Sequence, residues 1–474
     1  MSGGGMNDLP AWLRQGVDAV ESWQRTFAEY ERHPVGRVDP ERFRVAFAEL
    51  TERLTDNYPF FHPDFAGQML KPPHPVAVAG YLAAMLVNPN NHANDGGPAT
   101  GKMEREVVAA LAGMFGFERH LGHLTGGGTV ANLEALFVAR ESHPGKGVAY
   151  STESHYTHAR MCHVLGMTGH SVPVDAAGRM DLDALAALLA TGEVGTVVLT
   201  AGTTGLGAVD PIHDAVRLCR EHGVRSHVDA AYGGFFTLLA GAAGVAGIDA
   251  APWLAIAECD SVVVDPHKHG LQPYGCGAVL FADPTVERFY RHDSPYTYFT
   301  DAELHLGEIS LECSRAGAAA AALWLTFQVI PPTRDGLGAH LAACRRAAVD
   351  LADRIDASAT LTLYQRPELD IVTYFPTATS LSEVDAASAA VFAAGMADPD
   401  PVFLSVLRAD ATALTARHPN LVADTAGARI LRSVLMKPDA EPRVPHLHTR
   451  LEHLVSTTPA PRVDHSGAPS SPLT

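Results

Sequence analysis

The sequence predicts an α/β protein built on a mostly parallel sheet, and three observations carry that prediction. From about Gly147 to Ala282, short apolar runs alternate with helical patterns, the signature of strands joined by crossover helices. The residues of unusual chemistry stand just after those runs, where parallel sheets place their ligand sites. Beyond about Pro332 the pattern changes to long Ala-rich helices with fewer strands, as in a smaller α+β domain.

Taken in order, the first sixty or so residues read as helical, with Leu, Trp, Val and Phe at helical spacing in LPAWLRQGVDAVESWQRTFAEYER. The Pro-rich NYPFFHPDFAGQMLKPPHPVA suits a linker or an extended arm. GKMEREVVAALAGMFGF is an amphipathic helix. The strands are GVAYST, HSVPVD, GTVVLTAG, RSHVDAA, DSVVVDP and CGAVLFA, and the clearest helices between them are MDLDALAALLATG and IHDAVRLCREHG. The Pro/Ser/Gly-rich end, PAPRVDHSGAPSSPLT, reads as a disordered tail. The expected division is an N-terminal helical arm (1–75), a large domain (76–335), a small C-terminal domain (336–460) and the tail (461–474). No internal repeat is visible.

At 474 residues and 47% hydrophobic, the chain can bury a large core. No apolar run approaches the roughly 18 residues of a membrane span. The start, MSGGGMNDLPAWLRQ, has neither the basic nor the apolar region of a signal peptide. Six cysteines without a short repeating spacing suit reduced thiols. A formal net charge of −18 argues against a nucleic-acid binder. These features predict a cytoplasmic protein.

Four segments could carry chemistry. In LTGGGTVANLEALFVAR, glycines and a threonine precede a helix, so free N–H groups and a positive dipole end could cradle an anion; a plain flexible turn fits the same residues. In RSHVDAAYGG, Asp229 ends a buried strand beside small residues that leave room for a flat ligand; a helix N-cap is the competing reading. In STESHYTHARMCHVLG, His155, His158 and Cys162 fall near one helix face, which raises a metal site, a capping or core histidine, or a ring that stacks on a planar cofactor. No complementary ligand pair lies nearby, so no metal is assigned. Lys268, in DPHKHG, follows an apolar strand, and such surroundings can depress a lysine pKa and make the amine nucleophilic toward an aldehyde. Anion cradle, stacking ring, strand-end carboxylate and lysine together are what pyridoxal 5′-phosphate requires.

With these residues in view, the chain resembles the group II pyridoxal-phosphate-dependent amino-acid decarboxylases, the glutamate, tyrosine and aromatic-amino-acid decarboxylase family. The resemblance spans nearly the whole chain, through NPNNHANDGGPATGKMEREVVAALAGMFGF, TGGGTVANLEAL, ESHYTHAR, TAGTTGLGAVDPI, HVDAAYGG, DPHKHG, YTYFT, ECSRAGAAAAALW and RILRSVLMKP. It implies that Lys268 forms the Schiff base, Asp229 partners the pyridine nitrogen and His155 stacks on the ring. It implies further that Gly127, Gly128, Thr129 and His267 hold the phosphate, and that Thr204 and Ala231 line the cofactor. A loop tyrosine, Tyr296 or Tyr298, would protonate the substrate α-carbon. The fold implied is fold-type I, as a homodimer with active sites at the interface. Two departures bear on substrate choice: His269 stands where many members have an aromatic residue, and the segment after Ser314 lacks the Arg-rich character of animal aromatic decarboxylases.

The expected reaction is α-decarboxylation of an L-amino acid, aromatic or acidic. Other chemistry on the same fold is the alternative: aldehyde-forming oxidative deamination, C–C lysis or transamination. A non-enzymatic His-rich metal-binding protein is the remote one. Arg315 or Lys71 could serve an acidic substrate, and Tyr81, Phe60 or Phe61 an aromatic one; the sequence places none of them.

Overall fold

The structure, a computed structural model, describes residues 8–244, 246–290 and 306–458. Helices α1 (Leu9–Gln24) and α2 (Pro40–Leu54) lead into α3 (Pro75–Met85) and α4 (Pro98–Phe115). The first helix stops eight residues before the end of the predicted run, and Phe27 and Tyr30 beyond it are exposed. Asp39 starts α2 by accepting the N–H groups of Glu41 and Arg42.

A seven-stranded sheet follows: β1 (Leu121–Thr125), β2 (Gly147–Ser151), β3 (Gly169–Val172), β4 (Val194–Thr200), β5 (Arg225–Asp229), β6 (Ser261–Val264) and β7 (Gly277–Phe281). Its order is β1-β7-β6-β5-β4-β2-β3. Neighbours from β3 to β6 pair in parallel, and β7 runs antiparallel to both β6 and β1. Six strands therefore point one way and their carboxyl ends share one edge.

The sheet is covered on both faces, which is why its strands read as continuous apolar runs. Val262 and Val264 of β6 pack with Val107 and Leu111 of α4 and with Ile212 and Val216. Val263, pointing the other way, packs with Ala131, Ala135 and Val138 of α5 (Gly128–Ser142). The strand β1 escaped the sequence reading because His123 interrupts its apolar run. That histidine is fully buried, with Nε2 2.9 Å from Glu134 Oε2 of α5.

The C-terminal part carries a four-stranded antiparallel sheet of order β10-β11-β9-β8, from β8 (Leu361–Gln365), β9 (Ile371–Pro376), β10 (Ser405–Asp410) and β11 (Gly427–Val434). Helices Leu337–Asp356 and Val444–Thr457 bury Leu351, Ile355, Leu447 and Leu451 against it. Two layered sheets, the larger mostly parallel and the smaller antiparallel, are the fold-type I architecture expected. The six cysteines are all free. Among the described residues, no helix is long and apolar enough to cross a membrane.

Candidate active site

The carboxyl ends of β1, β4, β5 and β6 meet at a cavity of about 330 Å³, into which Gly127, His155, Thr204, Asp229, His267 and Lys268 converge. Gly128, Thr129 and Ala231 line it as well. The structure thus brings together every described residue that was expected to hold the cofactor. Tyr296 and Tyr298 lie outside the described residues.

Asp229 is the last residue of β5, held in register opposite Thr200 of β4 and Val263 of β6. Only 5% of it is exposed. Burial opposes its charge, yet the hydrogen bond from His158 Nε2 to Oδ2 (2.8 Å), the Ala231 N–H to Oδ1 (3.1 Å) and the nearby Lys268 outweigh that cost. The carboxyl is therefore held well below the usual carboxylate range and is ionised at neutral pH. The N-cap reading does not hold: Asp229 accepts from its own turn, with no helix starting there.

Lys268 sits in the turn after β6, its Nζ 3.1 Å from Asp265 Oδ2. Asp265 is itself buried, and its Oδ2 also lies 3.5 Å from His267 Nε2. The sequence reading passed over Asp265 although it opens the DPHKHG motif; a carboxylate at i and a lysine at i+3 was the available signal. His267 is anchored by its backbone N–H to Cys276 O (3.0 Å), and burial pushes its pKa down. His155 is half-buried between β2 and α6 (Thr157–Leu165), its ring 4.2 Å from that of Tyr156. Burial lowers its pKa despite Asp229 nearby, so it presents a neutral flat ring.

The start of α5 fits a phosphate. Gly127 holds φ +144°, and a Cβ there would come within 3.1 Å of His267 Cε1. A Cβ on Gly128 would meet Asp265 Oδ2 at 2.7 Å. Only bare backbone fits both positions, and it leaves the first N–H groups of a fifteen-residue helix facing the cavity. Nearby, His267 Nδ1 is buried without a partner, an orphan that an anion would satisfy.

Arg432, of β11, was also missed. Its guanidinium donates to Thr204 O (2.6 Å) and Gly205 O (3.0 Å), fastening a cavity-lining turn to the smaller sheet. Arg315 and Lys71 are committed elsewhere. Arg315 pairs with buried Glu104 and bonds Leu124 O, while Lys71 Nζ donates to Met436 O. Tyr81, Phe60 and Phe61 do not line this cavity either. The proposed trio of His155, His158 and Cys162 does not converge on a metal, since His158 Nε2 is bound to Asp229. Among the described residues, the one group of three ligand atoms close enough for an ion is Asp64, Asp400 and His446, remote in sequence from these motifs.

A model of the pyridoxal-dependent decarboxylase conserved domain matches residues 55–375, more than half of the chain. The chain belongs to this family. Among the decarboxylase's relatives, the probable L-tyrosine/L-aspartate decarboxylase of Methanosphaerula palustris is 28% identical over 297 residues, 60% of this chain and 74% of that protein. Oryza sativa TDC, solved with PLP and tryptamine, superposes with a TM-score of 0.76 at 17% identity, covering 96% of this chain and 99% of that one. The sphingosine-1-phosphate lyase of Burkholderia pseudomallei superposes with a TM-score of 0.71 at 19% identity, covering 92% and 95%. At such identities the structural likeness establishes the fold alone. The family match decides the reaction class: this decarboxylase acts on amino acids and uses pyridoxal phosphate.

Proposed function

We propose that the decarboxylase releases the α-carboxyl of an aromatic or acidic L-amino acid as CO₂, leaving the primary amine. One observation carries this reading: the Lys268 amine, the Asp229 carboxylate and the start of α5 face a single cavity. Pyridoxal phosphate supplies an aldehyde and an electron-withdrawing ring that accepts the electron pair left when the carboxyl departs. Lys268 would hold the aldehyde carbon, with Asp265 fixing the direction of its amine. Asp229 would hold the proton on the ring nitrogen, a charge-assisted contact strengthened by burial. The N–H groups of α5, with Gly127, Gly128, Thr129 and His267, would bind the phosphate, and His155 would cover one ring face. Thr204 and Ala231 shape the cavity wall. Tyr296 or Tyr298 is assigned the proton delivered to the α-carbon.

The two side-chain classes are supported by the relative's name, L-tyrosine and L-aspartate. A homodimer is supported by α2, which buries no residue and exposes Phe43, Phe47, Leu50 and Leu54; a second subunit would cover that surface. The free cysteines, five of them buried, support a cytoplasmic setting. Incubating the purified protein and pyridoxal phosphate with each of the twenty amino acids, while measuring CO₂ and amine, tests the reading. Equal yields of both from an aromatic or acidic substrate are expected; ammonia or an aldehyde in place of the amine overturns it. Sedimentation analysis tests the dimer.

A further inference from the structure

His158 has no part in the chemistry assigned above, yet it is the side chain bonded to the carboxylate at the centre of the site. It is the second residue of α6 and is fully enclosed. Its Nε2 lies 2.8 Å from Asp229 Oδ2. An ionised carboxylate can only accept, so Nε2 carries the hydrogen. Its Nδ1 is buried with no partner, so a hydrogen placed there instead would have no acceptor. The geometry therefore selects the tautomer that donates to Asp229. The other carboxylate oxygen takes the N–H of Ala231 at 3.1 Å. Two donors, one from α6 and one from the turn after β5, fix the plane of the carboxylate.

We propose that His158 is a positioning residue that governs where the ring-nitrogen proton resides. A hydrogen bond donated to Oδ2 makes Asp229 a weaker base. Of the two sites that share one proton, the ring nitrogen then keeps it and the carboxylate stays charged. Without the donor, the carboxylate competes better for that proton and the ring withdraws electrons less strongly. The inference rests on the reading that Asp229 faces the ring nitrogen.

The test uses the full-length enzyme reconstituted with pyridoxal phosphate labelled with ¹⁵N in the ring. His158→Phe fills the space without a donor, whereas His158→Gln retains an N–H that can reach Asp229. In His158→Phe the ring ¹⁵N resonance is expected to move toward the unprotonated position. Its kcat should fall about tenfold or more, as losing a hydrogen bond to a charged group implies, with KM changed far less. His158→Gln should keep the wild-type resonance and most of the activity. An unmoved resonance in His158→Phe, or equal losses in both variants, overturns the proposal. Asp229→Asn, run in parallel, separates the two levels. If it too leaves the resonance in place, the reading of Asp229 falls; if it alone moves the resonance, only the assignment of His158 falls. Should His158→Phe fail to fold, imidazole ¹⁵N spectra of the wild type decide. A hydrogen on His158 Nε2, assigned by its loss in His158→Gln, sustains the proposal, and one on Nδ1 ends it.

Discussion

His269 and Asp370 meet where the two sheets adjoin: imidazole Nε2 lies 3.2 Å from carboxylate Oδ2, and both side chains are fully enclosed. The pair is at ion-pair distance, though out of line for a hydrogen bond. The other oxygen of Asp370 takes the Tyr232 hydroxyl at 2.6 Å. Tyr232 stands three residues after Asp229 and His269 one after Lys268, so Asp370 ties both cofactor-binding turns to the smaller sheet. The His269 ring packs against Tyr232 and Phe236 at 4.9 and 5.1 Å while facing a charge, so a histidine can fill the place where the resemblance implies an aromatic ring. Asp370→Ala should therefore lower stability by on the order of 3 kcal/mol, the cost of stranding buried polar partners. Asp370→Asn, which keeps an acceptor for Tyr232, should cost clearly less. Urea titration of both variants checks this; equal losses would mean the contact is packing alone.

Lys268→Ala should abolish the visible absorbance of bound cofactor together with activity, because no other amine among the described residues lines the cavity. It also removes the amine partner of buried Asp265, leaving the carboxylate with His267 beside it and less well compensated. Absorption spectra of the reconstituted variant read the first effect, and its thermal midpoint the second. A wild-type spectrum in the variant would contradict the assignment of the lysine.

Asp229→Asn should reduce kcat by roughly 100-fold or more, the equivalent of about 2.7 kcal/mol, while weakening cofactor affinity much less. The carboxylate sits at the end of a strand paired on both sides, so the backbone around it has little reason to move. Steady-state kinetics and a cofactor titration measure the two quantities. Equal losses in both would make Asp229 an anchor for the ring.

Gly128→Ala would place a methyl 2.7 Å from an Asp265 oxygen, and Gly127→Ala would add strain at φ +144°. Each should cost about 1–3 kcal/mol and weaken cofactor binding roughly tenfold or more. Gly113→Ala, an open position within α4 with nothing within 4 Å, is the control: it should leave cofactor binding unchanged and, if anything, raise stability by up to about 1 kcal/mol. Cofactor titration with thermal melts tests all three.

His227 gives a pH prediction. Its ring is buried between Ser261 Oγ and Asn132 Oδ1, both at 2.9 Å, and burial lowers its pKa to about 3. Between about 3 and the unfolded value near 6.5, the unfolded chain binds a proton that the folded one refuses, so stability falls as pH falls. From pH 7 to pH 5 that loss is about 2 kcal/mol. Asp210, buried and raised to about 6, acts in the opposite sense between its unfolded value and 6. Comparing wild type with His227→Gln cancels that contribution. Urea midpoints at the two pH values should fall further in the wild type; parallel declines would refute a neutral His227.

The six apolar runs read as strands are all strands, because residues buried on both faces leave an unbroken apolar signal. The strand β1 was illegible, since His123 interrupts its apolar run and its neighbour Glu134 lies on α5, eleven residues further along the chain. The candidate site was equally uneven. Lys268, Asp229 and the α5 glycines stand in short motifs whose chemistry is local. Asp265 and His158 stand in motifs whose spacing was visible, but their pairings were not; Arg432 and Asp370 act through contacts that no spacing announced.

Composition and pattern alone determined the α/β class, the order of the elements and the ends of the strands that would bear chemistry. These follow from local geometry: a strand buried on both faces, a glycine turn before a helix, a charge just past an apolar run. Tertiary structure decided which charges pair. It closed Arg315 onto Glu104, Lys71 onto a backbone carbonyl, and His158 onto Asp229. A buried polar group takes whichever partner the fold brings within about 3 Å, and that choice spans from 71 residues to more than 300 along the chain.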